Sequence, residues 1–160
     1  MIDSTVSPAV RGSNSGFASH CLGWLDGVAY TWLAIPLRLA VATVFWRSAM
    51  AHLANMQTTL YMFENMYHVP LLPPDFAAYL TVSIEVSAPI LLVLGVLTRL
   101  TSLVLLGMVA VIEIFVFPQA WPTHIQWFAM LLVLLFRGSG ALSIDWLVRR
   151  WLFGPNHSET

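Results

Sequence analysis

The chain has 160 residues, 58% of them hydrophobic and 9% charged, with a net charge of −1. A soluble domain carries roughly 25% charged residues, so at a mean hydropathy of +0.76 this chain takes the lipid bilayer as its natural solvent and suits one small domain. All seven cations are arginine and Cys21 is the only cysteine, which excludes a nucleic-acid surface, an internal disulfide and a CxxC redox or zinc motif.

Met1 to Cys21 is rich in Ser, Gly, Pro and Asn, with no cationic stretch leading into an apolar core. Residues 1–28 are expected to form a disordered cytoplasmic tail rather than a cleaved signal. A membrane domain is expected over 29–153, with a short tail at 154–160. Its apolar stretches fall at about 29–50, 76–97, 100–117 and 122–136. A span takes ~20 apolar residues, so the fourth is short. Either Trp121 and Trp127 extend it into the interface, or the protein is locally thin there; a re-entrant segment is the other reading.

Arginine placement gives the orientation. Arg11, Arg99, Arg137, Arg149 and Arg150 fall on one side of a four-span chain, and the opposite loops carry no Lys or Arg. The positive-inside rule then puts both termini in the cytoplasm. In the long outer loop Met56, Leu60, Phe63 and Tyr67 recur at helical spacing, which predicts a short helix on the outer surface, ended by the prolines of "HVPLLPPD". After span four, "GSGALSIDWLVRRWLF" reads as a glycine break, a Ser143 N-cap and an amphipathic helix over about 144–153. Ile144, Leu147, Val148 and Trp151 should face lipid. The expected fold is an all-α, integral membrane four-helix bundle with short interfacial helices in the outer loop and at the C-terminus.

Ionisable groups inside apolar spans are rare and usually pair within a bundle. Arg38 falls in the inner third of span one. Arg47 lies nine residues on, ~13.5 Å further out and on roughly the opposite face. Glu85 falls near the midplane and Glu113 in the outer half, with His52 and His124 at the outer ends of spans one and four and Glu64 and His68 in the outer loop. These groups could converge on the outer half of the bundle. Arg47 is expected to pair with Glu113, the closest in depth, or with Glu85. The pair would serve either as a registry device without chemistry or as the core of a polar pocket. Pro89 cannot donate to the Glu85 carbonyl and should kink that helix. No two histidines share a metal-ligand spacing and none lies deep enough for haem, so no metal site is expected.

The segments "PLRLAVATVFWRSAMAHL", "AAYLTVSIEVSAPILLVLGVLTR" and "WPTHIQWFAMLLVLLFRGSGALSIDWLVRR" together resemble the DoxX family of small four-helix inner-membrane proteins, over about Ile35 to Arg150. Glu85, Arg99, His124 and Asp145 match positions the family favours. Ala49 and His52 stand where its pattern has Gly and Lys. The resemblance implies a bacterial inner-membrane location and a redox-linked accessory role. The family takes its name from a small subunit associated with a terminal quinol oxidase and with thiosulfate:quinone oxidoreduction in archaea. Other members look like partners of redox-protective enzymes, and some accompany systems that make copper-buffering secreted peptides.

The expected function is therefore an accessory, redox-linked membrane subunit, at most part of a quinone-linked oxidoreductase, working with a protein partner or as a homo-oligomer. Its candidate pocket is Arg47, Glu85 and Glu113, with His124 and His52 at the mouth and quinone as the candidate ligand. The alternative is a non-catalytic assembly or export factor for a membrane or secreted partner. A small channel is the weaker third reading, because four helices enclose little space.

Overall fold

A computed structural model describes residues 30–67, 69 and 71–153. The tails expected at 1–28 and 154–160, and His68, lie outside the described residues. The elements are α1 (Tyr30–Ala54), α2 (Met56–Asn65), α3 (Pro74–Leu94), α4 (Thr98–Val111), a π-helical turn (Ile112–Val116), a short 3-10 turn (Pro118–Ala120), α5 (Trp121–Arg137) and α6 (Ile144–Phe153). The fold is all-α, with no strand among the described residues.

Three helical segments, Tyr30–Ala54, Pro74–Leu94 and Thr98–Val116, are long and apolar enough to cross a membrane. α5 has 17 residues, or ~25 Å at 1.5 Å per residue, and falls just short. The chain runs alternately between two ends: the α2 end, where α1 stops and α3 starts, and the α6 end, where α3 turns into α4.

On α1 the buried positions are Ala34, Arg38, Val41, Ala42, Phe45 and Ala49, a stripe at three- and four-residue spacing. Trp32, Leu39, Trp46 and Met50 point the other way and stay exposed, as side chains facing lipid do. The alanines on α1, with Ala77, Ala78 and Ala88 on α3, let the two helices pack closely over their lengths. One core joins Phe45 of α1, Leu92 of α3, Leu105 of α4 and Leu131 of α5.

The predicted outer-loop helix is α2, and its stripe faces inward. Phe63 is buried against Ala77 and Ala78, with Met56, Leu60 and Tyr67 packed around them. Asn55 starts the helix by accepting from Thr58 N at 3.0 Å, as an N-cap does. The Ser143 cap is present too: Trp146 N donates to its Oγ at 3.2 Å. Ile144, Leu147, Val148 and Trp151 are all exposed.

The α6 end is held by polar bonds between distant segments. Tyr30 donates its hydroxyl to Gly138 O at 2.8 Å, Ala141 N donates to Thr31 Oγ1 at 2.9 Å, and Arg38 Nη2 donates to Leu142 O at 2.9 Å. Arg38 is 4% exposed. Its guanidinium lies against Gly95 at the C-terminus of α3, where the helix dipole carries partial negative charge.

The α3–α4 turn is built from remote parts. Gly95 ends α3 at φ +66° and Leu97 starts α4 at φ +48°. Leu97 has no capping side chain, so Asp145 of α6 does that work. Its carboxylate accepts from Leu97 N at 2.7 Å and Thr98 N at 2.9 Å, while its own N–H donates to Gly95 O at 2.9 Å. Asp145→Ala should lower unfolding stability by about 1–3 kcal/mol, read as a fall in thermal midpoint in detergent. Gly95→Ala should cost more. Its Cβ would collide with Arg38 Nη1 and stand 2.5 Å from Ser143 Cβ at a left-handed φ, a penalty of about 2–5 kcal/mol, visible as loss of folded protein from the membrane fraction.

Candidate functional site

Glu85 sits a little past the middle of α3 and is 2% exposed. A carboxylate there must be paired or hydrogen-bonded, and both of its oxygens are engaged. Ser48 Oγ donates to Oε1 at 2.8 Å, and His52 Nδ1 lies 2.7 Å from Oε2. Ser48 and His52 are one helical turn apart and so share the face of α1 that meets α3. The His52 carbonyl accepts from the buried Thr59 Oγ1 at 2.9 Å, which ties the start of α2 to the same corner.

A second carboxylate–histidine pair faces the first from the other helix pair. His124, in the first turn of α5 and 5% exposed, places Nδ1 2.5 Å from Glu113 Oε2. Glu113 belongs to the π-helical turn. Such turns widen a helix locally and are often found at functional sites. Nothing in the sequence marked it.

Both members of the first pair and His124 of the second open on one cavity of about 440 Å³, lined by Ser48, His52, Glu85 and His124 and otherwise mostly by apolar and aromatic side chains; Glu113 touches it only through His124. Its size lies within the ~300–1,000 Å³ of small-molecule pockets, and a few convergent polar groups in an apolar wall is their usual make-up. On each histidine Nδ1 is taken by the carboxylate, which leaves Nε2 as the ring nitrogen for a ligand.

Aromatic rings close the α2 end of the cavity. Phe63 stands edge-on to His52 and to Tyr67, with centroids 6.5 and 5.1 Å away, and Tyr67 meets Phe117 at 5.6 Å. Trp127 packs on His124 at 4.9 Å and on Phe45 at 6.1 Å. Burial, with the Glu85 carboxylate adding to it, pushes the Tyr67 phenol above its ordinary value, so Tyr67 remains a neutral donor at physiological pH.

The cavity lies between the halves of α3 and α4 remote from their shared turn. Leu80 of α3 and Val104 of α4 line it and are 39% and 41% exposed. Gly107, also on its wall, is exposed and has no atom within 4 Å of where a Cβ would stand. The cavity therefore reaches the side of the protein between these two helices.

Of the residues expected in a pocket, Glu85, His52 and His124 line this cavity, and Glu113 reaches it through His124. Arg47 does not: it is exposed on α1 and makes no ion pair among the described residues. Nine residues from buried Arg38, it falls half a turn off the inward stripe. Histidines, not arginine, partner both carboxylates. Glu64 is exposed on α2. Ser48, Tyr67, Trp127 and Gly107 join the site without having been expected in it, though Tyr67 was read as part of the outer-loop stripe and Trp127 as an interfacial ring. The spacing of Ser48 to His52 was the signal for the first; the others had none that pointed to the site. Among the described residues no three His, Cys, Asp or Glu side chains gather as metal ligands.

No curated protein and no solved structure matches the chain. The DoxX family model matches residues 33–118, more than half of the chain, and covers α1 to the end of the π-helical turn, including both carboxylates of the site. With its three apolar helices of spanning length, the chain is a multi-pass membrane protein that belongs to the DoxX family.

Proposed function

We propose that the chain is an accessory, redox-linked subunit of a bacterial inner membrane, and that its cavity receives the head group of a quinone. The observation that carries this reading is the pair of carboxylate–histidine couples, Glu85–His52 and Glu113–His124, whose histidines, with Glu85, line one mostly apolar cavity. Converting a quinone to a quinol takes two electrons and two protons. Two separate proton-holding pairs beside one apolar space suit that stoichiometry, and each histidine Nε2 can hydrogen-bond a ring oxygen. In this reading electrons come from a redox-active partner subunit, and the bound quinone takes them up.

In this reading α5 is a fourth, short span that completes a four-helix bundle, with α2 and α6 lying at the two interfaces. Both termini are cytoplasmic, because Arg99, Arg137, Arg149 and Arg150 gather at the α6 end. The exposed, unpaired Arg47 supports a protein partner or a second copy that supplies an acceptor there, since a lone cation facing lipid is costly. The opening between α3 and α4 supports entry of a lipid-soluble ligand from the bilayer.

Native mass spectrometry of the complex, extracted gently from its own membrane, tests the proposal. A retained mass equal to a quinone, lost in His52→Ala and His124→Ala chains that still fold, is the expected result. A chain that carries only a protein partner and never a quinone would instead support the assembly or export role, with the two pairs acting as registry devices.

A further inference from the structure

We infer that the α6 end carries a second binding site, for the phosphate of an anionic phospholipid. A cleft of about 500 Å³ lies there, separate from the cavity at the other end. Three arginines from three elements line it: Arg99 in the first turn of α4, Arg137 at the end of α5 and Arg149 on α6. The acidic side chain on its wall is Asp145, and both of its oxygens already accept from Leu97 N and Thr98 N. Among the described residues the cleft thus sets three cations against one carboxylate, whose oxygens are already committed to backbone N–H groups.

The guanidinium groups are held but not used up. Arg137 lies over the Tyr30 ring at 5.3 Å from its centroid, and Arg99 Nη2 donates to Phe136 O at 3.3 Å. Each guanidinium has five donors in a planar fork that fits phosphate oxygens. Arg149 is exposed and makes no hydrogen bond or ion pair among the described residues. Gly138, also on the wall, brings the backbone close under Arg99, whose Nε is 3.5 Å from the position of an added Cβ.

The walls favour a lipid phosphate over a free one. Leu97, Leu100 and Leu152 line the same cleft and are each more than half exposed. A free anion would leave them bare. A phospholipid would set its phosphate among the arginines and lay its acyl chains along the leucines. Basic pockets at helix ends commonly hold anionic head groups in this way.

The test is native mass spectrometry of the full chain in detergent, titrated with phosphatidylglycerol, with phosphatidylcholine and with inorganic phosphate. Phosphatidylglycerol should bind at least tenfold more tightly than phosphatidylcholine, and inorganic phosphate should neither bind nor compete at equal concentration. Each arginine removed should weaken phosphatidylglycerol about fivefold, so Arg99→Gln/Arg137→Gln/Arg149→Gln together should weaken it about 100-fold. Arg149→Gln alone keeps the test sound if the triple variant does not fold. Arg150→Gln is the matched control, because that side chain stacks on Trp146 and does not line the cleft; its affinity should stay within twofold of the parent chain. Equal affinity for the two lipids, undiminished binding after Arg149→Gln, or an equal loss in Arg150→Gln overturns the proposal. So does inorganic phosphate binding as well as the lipid, which makes the cleft a soluble-anion site.

Discussion

Glu85→Gln should reduce quinone turnover at least about 100-fold while leaving the amount of folded protein in the membrane unchanged. Glutamine has the shape of glutamate. Its amide oxygen can still accept from Ser48, and its NH2 can donate to His52 Nδ1, so the buried hydrogen bonds survive in one histidine tautomer. What disappears is the group that holds a proton. Positioned acid–base groups contribute typically 10²–10⁴-fold to rate, which sets the size of the expected loss. The assay is quinone reduction in membranes that hold the chain with its redox partner, paired with a protein blot. The opposite pattern, turnover kept but protein level lowered, would make Glu85 a structural residue whose work is to align α1 with α3.

The second large effect is expected at Gly107. It lies on the rim of the cavity, exposed, with open space around the missing side chain. Gly107→Ala should be well tolerated and gain about 0.5–1 kcal/mol from helix propensity. Gly107→Trp adds a large ring at the opening between α3 and α4, starting from a Cβ position with no neighbour within 4 Å. If ligands enter from the bilayer, this variant should lose tenfold or more in the rate of ligand uptake in proteoliposomes while its thermal midpoint stays at or above that of the parent. Normal uptake in Gly107→Trp would send the entry path to the α2 end instead, past Phe63, Tyr67 and Phe117.

Much of the fold could be read directly from hydropathy. The stretches expected at 29–50, 76–97, 100–117 and 122–136 fall on α1, α3, α4 with its π-helical turn, and α5, shifted by up to a few residues. Such shifts are natural, because apolar runs mark lipid exposure whereas caps such as Asn55 and Gly95 mark where a helix starts or stops. The site was legible by depth and misread by angle. Glu85, Glu113, His52 and His124 were expected to converge at the level of the outer half of the bundle; Glu85, His52 and His124 do line one cavity, and Glu113 is bonded to His124 behind its wall. Arg47 is at that level too, but on the far side of α1. Its phase relative to Arg38 was computable, yet which of the two arginines faces inward was not. That depends on the Leu142 carbonyl and the end of α3, which hold Arg38 from parts of the chain more than fifty residues away. The π-helical turn that carries Glu113 has no local sequence mark, because it is a backbone accommodation made just before Pro118.

The two ends of the molecule differ in stiffness. At the α6 end, long-range bonds from Tyr30, Thr31, Arg38 and Asp145 lock the start of α1, the α3–α4 turn, the end of α5 and the start of α6 into one block. No comparable set of bonds crosses between α3 and α4 toward the α2 end, among the described residues. The two helices are therefore joined to each other at the base like the prongs of a tuning fork, while toward the tips each is held by other neighbours, α3 by α1 and α2 and α4 by α5. Among the described residues no side-chain hydrogen bond ties α3 to α4 across the gap beside Gly107, so widening it would break none between them. Amide exchange should accordingly be slowest around the block and rise along α4 toward the π-helical turn, so that admitting a bulky guest becomes a matter of spring constant rather than of a gate.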